Sequence, residues 1–203
     1  MRIEHQNIFF TSDYHLGHNN VIKFDNRPFK GLHDMHHTMI ENWNSVVNED
    51  SIIFYLGDYI YKGDVKIAKW FSSQIKGRIH FLMGNHDKYR VISSLNRFEK
   101  IYGDDTALGG ATIKVKDSDC KDGWQSIVMC HYPILSWNKA RYSAWHIHGH
   151  CHQNMTNNPN MSWFYDNKVI DAGCNGWNYT PISYQQVKDV MSAKSISKID
   201  SEV

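Results

Sequence analysis

The chain alternates between short apolar runs and polar breaks. A typical run, "SIIFYLGD", holds β-branched and aromatic residues and then ends in Gly and Asp. Apolar runs of this length, bounded by turn-forming residues, are typical of buried strands that lead into functional loops. The pattern predicts strands at 7–13, 51–58, 78–87, 125–133 and 145–152, with further strands at 111–117 and 168–174.

Other segments carry apolar residues at helical spacing. Met35, Met39 and Trp43 recur at i, i+4 and form one stripe, which predicts an amphipathic helix. A second segment has the same spacing and begins at Asp64, a suitable N-cap. The predicted helices are 33–47, 64–75 and 183–193.

The order of these elements indicates the fold class. Strands and helices alternate in the first half of the chain, and the second half is mostly strands. This order predicts an α/β sandwich with sheets inside and helices outside. No internal repeat or low-complexity linker divides the sequence, so we expect a single domain over residues 1–203 with a flexible tail at about 194–203.

Composition narrows the class of protein. Hydrophobic residues make up 41% and charged residues 21% of the chain, the balance of a soluble globular protein. No apolar run reaches about 18 residues and no signal-peptide pattern is present, so we expect no membrane partner and a cytoplasmic location. The formal net charge of +1 gives no evidence of a dedicated nucleic-acid-binding surface, and the four cysteines are expected to be reduced.

Histidine is the unusual residue, because its 13 copies are clustered. Clustered histidine indicates metal binding more often than pH sensing. Residues that ligate metals follow most of the predicted strands, and functional groups of open α/β sheets gather at strand ends. In chain order these residues are Asp13, His15, Asp58, Asn85, His86, Asp87, His131, His150 and His152.

These strand-end residues form five blocks that read, in order, DxH, GD, GNHD, a lone His and GHxH, and they span residues 13–152. The series resembles the calcineurin-like metallophosphoesterase superfamily. The closing stretch "GCNGWNYTPISYQQV" is similar to the end of a small single-domain branch of that family found in bacteria and phages. The resemblance implies a four-layer α-β-β-α sandwich of two mixed sheets flanked by helices.

The resemblance also implies two divalent metal ions that share one carboxylate. Asp13, His15 and His152 would hold the first ion, Asn85, His131 and His150 would hold the second, and Asp58 would bridge both. The mixed nitrogen and oxygen donors suit Mn, Fe, Ni or Zn better than Ca or Mg, and Mn is our first choice. Two ions with two carboxylates keep a formal charge of +2, which attracts a phosphate.

The implied chemistry is phosphoester hydrolysis. A metal-bound hydroxide would attack phosphorus, and the paired ions would stabilise the attacking and leaving oxygens. By resemblance, His86 would act as the general acid that protonates the leaving group, and Asp87 would orient its imidazole. Since Asn85 is the expected ligand in this block, His86 is expected not to bind metal.

The substrate is less well defined. No large insertion separates the blocks, so we expect an open site and a phosphodiesterase or phosphatase that acts on nucleotide-like phosphoesters. A protein phosphatase is an alternative within the enzymes. A catalytically inactive, metal-stabilised binding module is the alternative outside them, although every ligand and the acid are kept. The oligomeric state is not indicated.

Residues near the blocks have open alternatives. His18 either contacts the substrate phosphate or orients a ligand, or it has a purely structural role; the sequence favours neither alternative. Arg27 either contacts phosphate through its guanidinium or is a surface residue before a turn. The histidines of the first predicted helix are expected on its solvated face; they are His33, His36 and His37.

The stretch "HIHGHCH" places histidines at every second position from His146 to His152. Strict strand alternation would put all of them on one face. If His150 and His152 serve different ions, the chain must bend after Gly149. We therefore expect His148 to have at most a supporting role and His146 to pack inside the protein.

Overall fold

The computed structural model describes residues 1–196, so 197–203, most of the predicted tail, lie outside the described residues. The strands are β1 (Arg2–Ile3), β2 (Ile8–Thr11), β3 (Ile52–Tyr55), β4 (Arg78–Leu82), β5 (Phe98–Tyr102), β6 (Gly110–Lys116), β7 (Trp124–Cys130), β8 (Trp145–His148), β9 (Val169–Asp171) and β10 (Ile182–Ser183). The α-helices are α1 (Val21–Phe24), α2 (Leu32–Val46), α3 (Val65–Gln74), α4 (Tyr89–Ser94), α5 (Ser162–Tyr165) and α6 (Tyr184–Ser192).

The strands form two mixed sheets of five strands each. Sheet I has the order β10-β2-β3-β4-β5, and all its neighbours are parallel except β10 and β2. Sheet II has the order β1-β6-β7-β8-β9, in which only β6 and β7 are antiparallel neighbours. This architecture confirms the predicted α/β sandwich of two mixed sheets.

The apolar core lies in layers on both sides of sheet I. Between the sheets, Phe10 stacks on Phe54 with ring centroids 5.9 Å apart, and both belong to one buried cluster with Ile127 and Ile147 of sheet II. On the other face of sheet I, α2 and α3 bury residues such as Trp43 in a second cluster. Burial of each large apolar side chain contributes about 1.5–3 kcal/mol, so these layers hold the strand ends in place.

The outer layer over sheet II is thin. It consists of α5 and a 3-10 turn at Ala140–Tyr142, and its buried residues include Trp137 and Phe164. The last helix, α6, packs against the layer between the sheets through Tyr184 and Val187. None of the helices among residues 1–196 is both long and apolar enough to cross a bilayer.

Each segment predicted to be a strand or helix contains that element in the structure. Asp64 caps α3, because its carboxylate accepts the amides of Lys66 and Ile67. Several elements were not predicted, chiefly α4 and the edge strand β5, whose residues are only partly buried. In the described part of the predicted tail, the amide of Ser195 donates to the carbonyl of Asp166.

Candidate metal centre

The strand-end loops hold side chains by unusual backbone conformations. Asp13, His15, Asp58, His150 and His152 have φ values of 63°, 51°, 56°, 71° and 48°. Non-glycine residues rarely adopt this left-handed region, and each such residue costs on the order of 1–3 kcal/mol. Strain of this kind collects at functional sites, where the surrounding fold compensates for it.

Two motif glycines let the loops after β3 and β4 touch. A Cβ on Gly84 would lie 2.2 Å from the amide nitrogen of Asp58, and a Cβ on Gly57 would lie 2.7 Å from Nδ1 of His131. Neither contact is possible for a real side chain. Glycine at position 84 therefore lets the loop after β4 pack against Asp58, and glycine at position 57 lets the His131 ring pack against the loop after β3.

The first group of donors comes from opposite ends of the sequence. Nε2 of His15 lies 2.9 Å from Nε2 of His152, and Oδ1 of Asp13 lies 3.7 Å from the latter nitrogen. Their donor atoms all lie within 4.8 Å of one another. Two nitrogen ligands about 2.0–2.1 Å from one ion, at a right angle, would be about 3 Å apart. The His15–His152 separation therefore suits a shared ion.

The second group lies beside the first. Oδ1 of Asn85 is 2.8 Å from Nε2 of His131 and 3.0 Å from Nδ1 of His150. His131 and His150 also place donor atoms within 4.8 Å of Asp58. The Nδ1 of His131 lies 2.8 Å from the carbonyl oxygen of Leu56, which leaves Nε2 free of its proton to face the group.

Asp58 lies between the two groups. Its Oδ2 is 3.6 Å from Nε2 of His15, and its Oδ1 is 3.6 Å from Nε2 of His131. Each carboxylate oxygen thus faces one group. This is the arrangement that a carboxylate shared by two ions requires.

The charges of the site favour a cation. Burial, opposed by the charge of His152 and aided by that of Asp58, raises the pKa of Asp13 to about 8. Burial also lowers the pKa of His15 to about 2 and lowers that of His131. Neutral imidazole is the form that ligates metals. A divalent cation would offset the cost of burying the carboxylates, so the donor set fits metal ions.

Asp25 is a residue that the sequence reasoning missed. Its Oδ2 lies 2.8 Å from Nδ1 of His152, on the opposite side of the ring from His15. Although burial opposes protonation of His152, the hydrogen bond to Asp25 and the charge of Asp13 raise the His152 pKa. A carboxylate on the second ring nitrogen is the usual support of a metal-ligating histidine. Asp25 stands in "FDNRPF", two residues before Arg27, which is the residue of this stretch that its type alone indicates.

Arg27 differs from both expectations. It is buried, and all five of its N–H groups have acceptors. Nε and Nη2 donate to the carboxylate of Asp25, and Nη2 also donates to the Asp13 carbonyl. Nη1 donates to the Tyr14 carbonyl and to Sδ of Met35. A guanidinium has no further donors. Arg27 therefore braces the loop behind the site and neither contacts a phosphate nor lies on the surface.

Asp87 also differs from its predicted position. It is fully buried, and its carboxylate accepts the amides of Asp58, Tyr59 and Gly84. Within residues 1–196 its hydrogen bonds go to backbone amides and not to the His86 ring. Asp87 therefore joins the loops after β3 and β4 instead of orienting an imidazole.

His86 is exposed at the rim of the site. Its ring centroid lies 5.1 Å from that of His15 and 6.0 Å from that of Tyr61. Its donor atom also lies within 4.8 Å of those of His15 and Asp58. The geometry therefore allows His86 either to donate a proton to a molecule bound at the donor groups or to ligate a metal ion.

Other histidines near the site have distinct roles. The His18 ring stacks on Tyr61 with centroids 3.7 Å apart, and its centroid lies 6.0 Å from that of His15. His36 is buried and accepts the amide of Gly17, so the prediction of a solvated face was wrong for it. His33 and His37 are exposed as predicted.

The histidine-rich stretch bends as predicted, because β8 ends at His148, and His150 and His152 have left-handed backbones. His146 is buried, with Nδ1 near the Val128 carbonyl and Nε2 accepting the amide of Ile134. His148 is also buried and its Nε2 lies 3.1 Å from the hydroxyl of Tyr165. Neither histidine belongs to the donor groups.

Comparison with known proteins finds relatives of this chain in sequence and in fold. The sequence profile of the calcineurin-like phosphoesterases matches residues 7–176, which confirms the resemblance. The uncharacterized protein MJ1445 of Methanocaldococcus jannaschii is 31% identical over 182 residues, which cover 87% of this chain and 86% of that protein. The gene 66 protein of Mycobacterium phage L5 is 25% identical over 205 residues, which cover 92% and 94% of the two chains.

A solved structure has the same fold. It is a protein of unknown function, AQ665 from Aquifex aeolicus, with a TM-score of 0.66 and 22% identity over 90% of this chain and 98% of that chain. At this identity the likeness concerns the fold alone. The profile match covers most of the chain and includes every clustered donor residue. The chain therefore belongs to the calcineurin-like phosphoesterase family, whose members bind divalent metal ions and hydrolyse phosphoesters.

Proposed function

We propose that this chain is a dinuclear metal-dependent hydrolase of phosphodiesters or phosphomonoesters with nucleotide-like substrates. The observation that carries the proposal is the position of Asp58, whose two carboxylate oxygens face two separate donor groups. A single ion would need only one group. Family membership supports metal-dependent phosphoester hydrolysis, and the geometry supports the two-ion form of it.

The proposed ligands divide as the donor groups do. Asp13, His15 and His152 hold one ion, Asn85, His131 and His150 hold the other, and Asp58 contacts both. When bound, the ions supply Lewis-acid activation of the phosphoryl group and a water acidic enough to act as the nucleophile. The imidazoles and the amide are neutral, so the site keeps the positive charge that draws a phosphate. These donors favour Mn, Fe, Ni or Zn.

His86 is the proposed general acid. Its exposed ring borders the donor groups, so it can deliver a proton to the leaving oxygen of a substrate that lies across the site. Such proton transfer contributes typically 10²–10⁴-fold. Asp87 acts at a distance from this step, because it holds the loop that carries His86 through the amides of Gly84 and Asp58.

A direct test uses metal-stripped protein reloaded with Mn²⁺ and assayed on bis-p-nitrophenyl phosphate and p-nitrophenyl phosphate. Turnover of either ester is expected, and the preference between them separates a diesterase from a monoesterase. If neither ester is hydrolysed while two ions are bound, the chain is the inactive binding module. Asp58→Asn is expected to lose both ions, and a variant that retains two would contradict the shared carboxylate.

The acid role of His86 has its own test. His86→Ala is expected to lose about 10²–10⁴-fold on esters with alkyl leaving groups and far less on nitrophenyl esters, which need no proton. His33→Ala, an exposed histidine on α2, is the matched control. Equal losses on both esters, together with a lost metal ion, would show that His86 is a ligand.

A further inference from the structure

A hollow opens directly beside His86. Its volume is about 660 Å³, within the range of pockets that take a nucleotide-sized ligand. His86 lines both this hollow and the edge of the donor groups. A substrate whose phosphorus lies at the donor groups would therefore extend past His86 into this space.

The lining of the hollow is strongly cationic. Lys62 comes from the loop after β3, and Lys88 and Arg90 come from the segment that follows the GNHD block. All three side chains are exposed, and among residues 1–196 none of them forms an ion pair with a carboxylate. Asp105 is the one acid among the described residues of the lining, and its Oδ1 accepts the amide of Tyr89. The lining thus carries an excess of positive charge although the chain as a whole is nearly neutral.

Aromatic rings lie beside Lys62. Lys62 lies over the ring of Tyr61 at 5.2 Å, and that ring also stacks on His18 and lies 6.0 Å from the ring of His86. Phe24, which is 73% exposed, has its ring centroid 6.0 Å from that of His18. Cations that follow a backbone, together with exposed rings, are the usual means of binding nucleic-acid strands. An acidic peptide would need the charges but not the rings.

We infer that the substrate is a phosphodiester that carries at least one further phosphate beyond the reacting one, as an oligonucleotide strand does, and that Lys62, Lys88 and Arg90 bind this further phosphate. This inference rests on the proposed phosphoesterase activity. Arg90 can contact two phosphate oxygens at once, and the two lysines add point charges. A neutral alcohol as the leaving group would use none of these side chains.

The test compares the dinucleotide TpT with the same dinucleotide phosphorylated at both ends, and bis-p-nitrophenyl phosphate reports the basal chemistry. The measured quantity is the ratio of kcat/KM for cleavage of the internal diester in the phosphorylated dinucleotide to that in TpT, followed by separation of the products, at low salt with Mn²⁺ bound. We expect a ratio of at least about tenfold, since three exposed charge contacts together are worth roughly that factor. The ratio should fall as salt rises, because these contacts are exposed.

The double variant Lys88→Gln with Arg90→Gln is expected to lower the ratio to about twofold, because only Lys62 of the three cations remains. The control variant, Lys69→Gln with Lys76→Gln, removes the same charge from exposed positions elsewhere and should keep the wild-type ratio. A wild-type ratio near one, or an unchanged ratio in the double variant, would overturn the inference while leaving the proposed function intact.

Two further outcomes are decisive. If an acidic phosphoserine peptide is hydrolysed with a higher kcat/KM than the phosphorylated dinucleotide, and the double variant abolishes that preference, the hollow serves peptides and the inference is wrong. If none of the substrates is hydrolysed, including bis-p-nitrophenyl phosphate, the proposed function fails and the inference fails with it.

Discussion

Asp25 offers a sharp test of how the site is built, because it acts on one proposed ion only. Its carboxylate contacts Nδ1 of His152 at 2.8 Å, and His152 belongs to the first donor group alone. Asp25→Asn keeps the shape of the side chain and removes its charge. The nitrogen of His152 that faces the site then becomes a weaker ligand, since its ring loses the carboxylate that orients and polarises it.

The magnitude follows from this geometry. Loss of a carboxylate behind a metal-ligating histidine costs typically 10–100-fold in metal affinity, which is about 1.4–2.7 kcal/mol. The second donor group contains no contact with Asp25, so its affinity should stay within about threefold. The same substitution also removes the ionic partner of buried Arg27 and should lower the free energy of unfolding by roughly 1–3 kcal/mol.

The assay is calorimetric titration of metal-stripped protein with Mn²⁺, at a temperature where wild type and variant are both folded. We expect two binding events in the wild type and one of them weakened in Asp25→Asn. Asp34→Asn is a matched control, because within residues 1–196 its carboxylate accepts only the amide of Lys30, in a segment away from the donor groups. Binding of both ions by Asp25→Asn as in the wild type, while His152→Ala loses one, would show that Asp25 does not support the first ion.

Three other substitutions test neighbouring parts of the account. Asp87→Asn should lower the free energy of unfolding by about 2–4 kcal/mol, because both carboxylate oxygens accept backbone N–H groups and a side-chain amide keeps only one oxygen. Its loss of kcat should be the same for nitrophenyl and alkyl esters. A loss confined to alkyl esters would restore its predicted role beside His86. Arg27→Lys should cost about 2–4 kcal/mol in urea unfolding, since an ammonium group replaces only part of five donors, and a change below about 0.5 kcal/mol would show that the brace is unimportant. His146 should make unfolding sensitive to acid: burial lowers its pKa to about 3 in the fold, below the ordinary 6.5, so its contribution to stability is present above pH 6.5 and is lost as pH falls from 6.5 towards 3. In metal-free protein, His146→Asn should therefore flatten the decline in unfolding free energy by about 1.4 kcal/mol per pH unit below 6.5, and an unchanged slope would contradict this.

The parts of the fold that the sequence predicts are those with strong local patterns. β3 and β4 are buried on both faces, so they appear as continuous apolar runs. Both lie in the parallel part of sheet I, which carries the residues after them to one edge. β5 is an edge strand with little burial, so its residues show no comparable pattern.

The parts that the sequence does not predict depend on the path of the loops. Asp87 follows His86 in the chain, but the turn after Gly84 sends its carboxylate inward to the amides of a neighbouring loop. Asp25 reaches His152 across 127 residues of sequence, a contact that no local spacing encodes. His36, by contrast, lies three and seven residues before the stripe residues Met39 and Trp43. This helical spacing places it on the buried face, so the sequence pattern does predict its burial.

One titration shows whether two metal ions act together at Asp58. Metal-stripped protein receives Mn²⁺ in small steps while bound metal and hydrolysis of bis-p-nitrophenyl phosphate are measured on the same samples. We expect activity to appear mainly with the second bound equivalent, and we expect Asp58→Asn to show neither tight binding event. Full activity with one equivalent or none, or an Asp58→Asn variant that binds both ions, would contradict it.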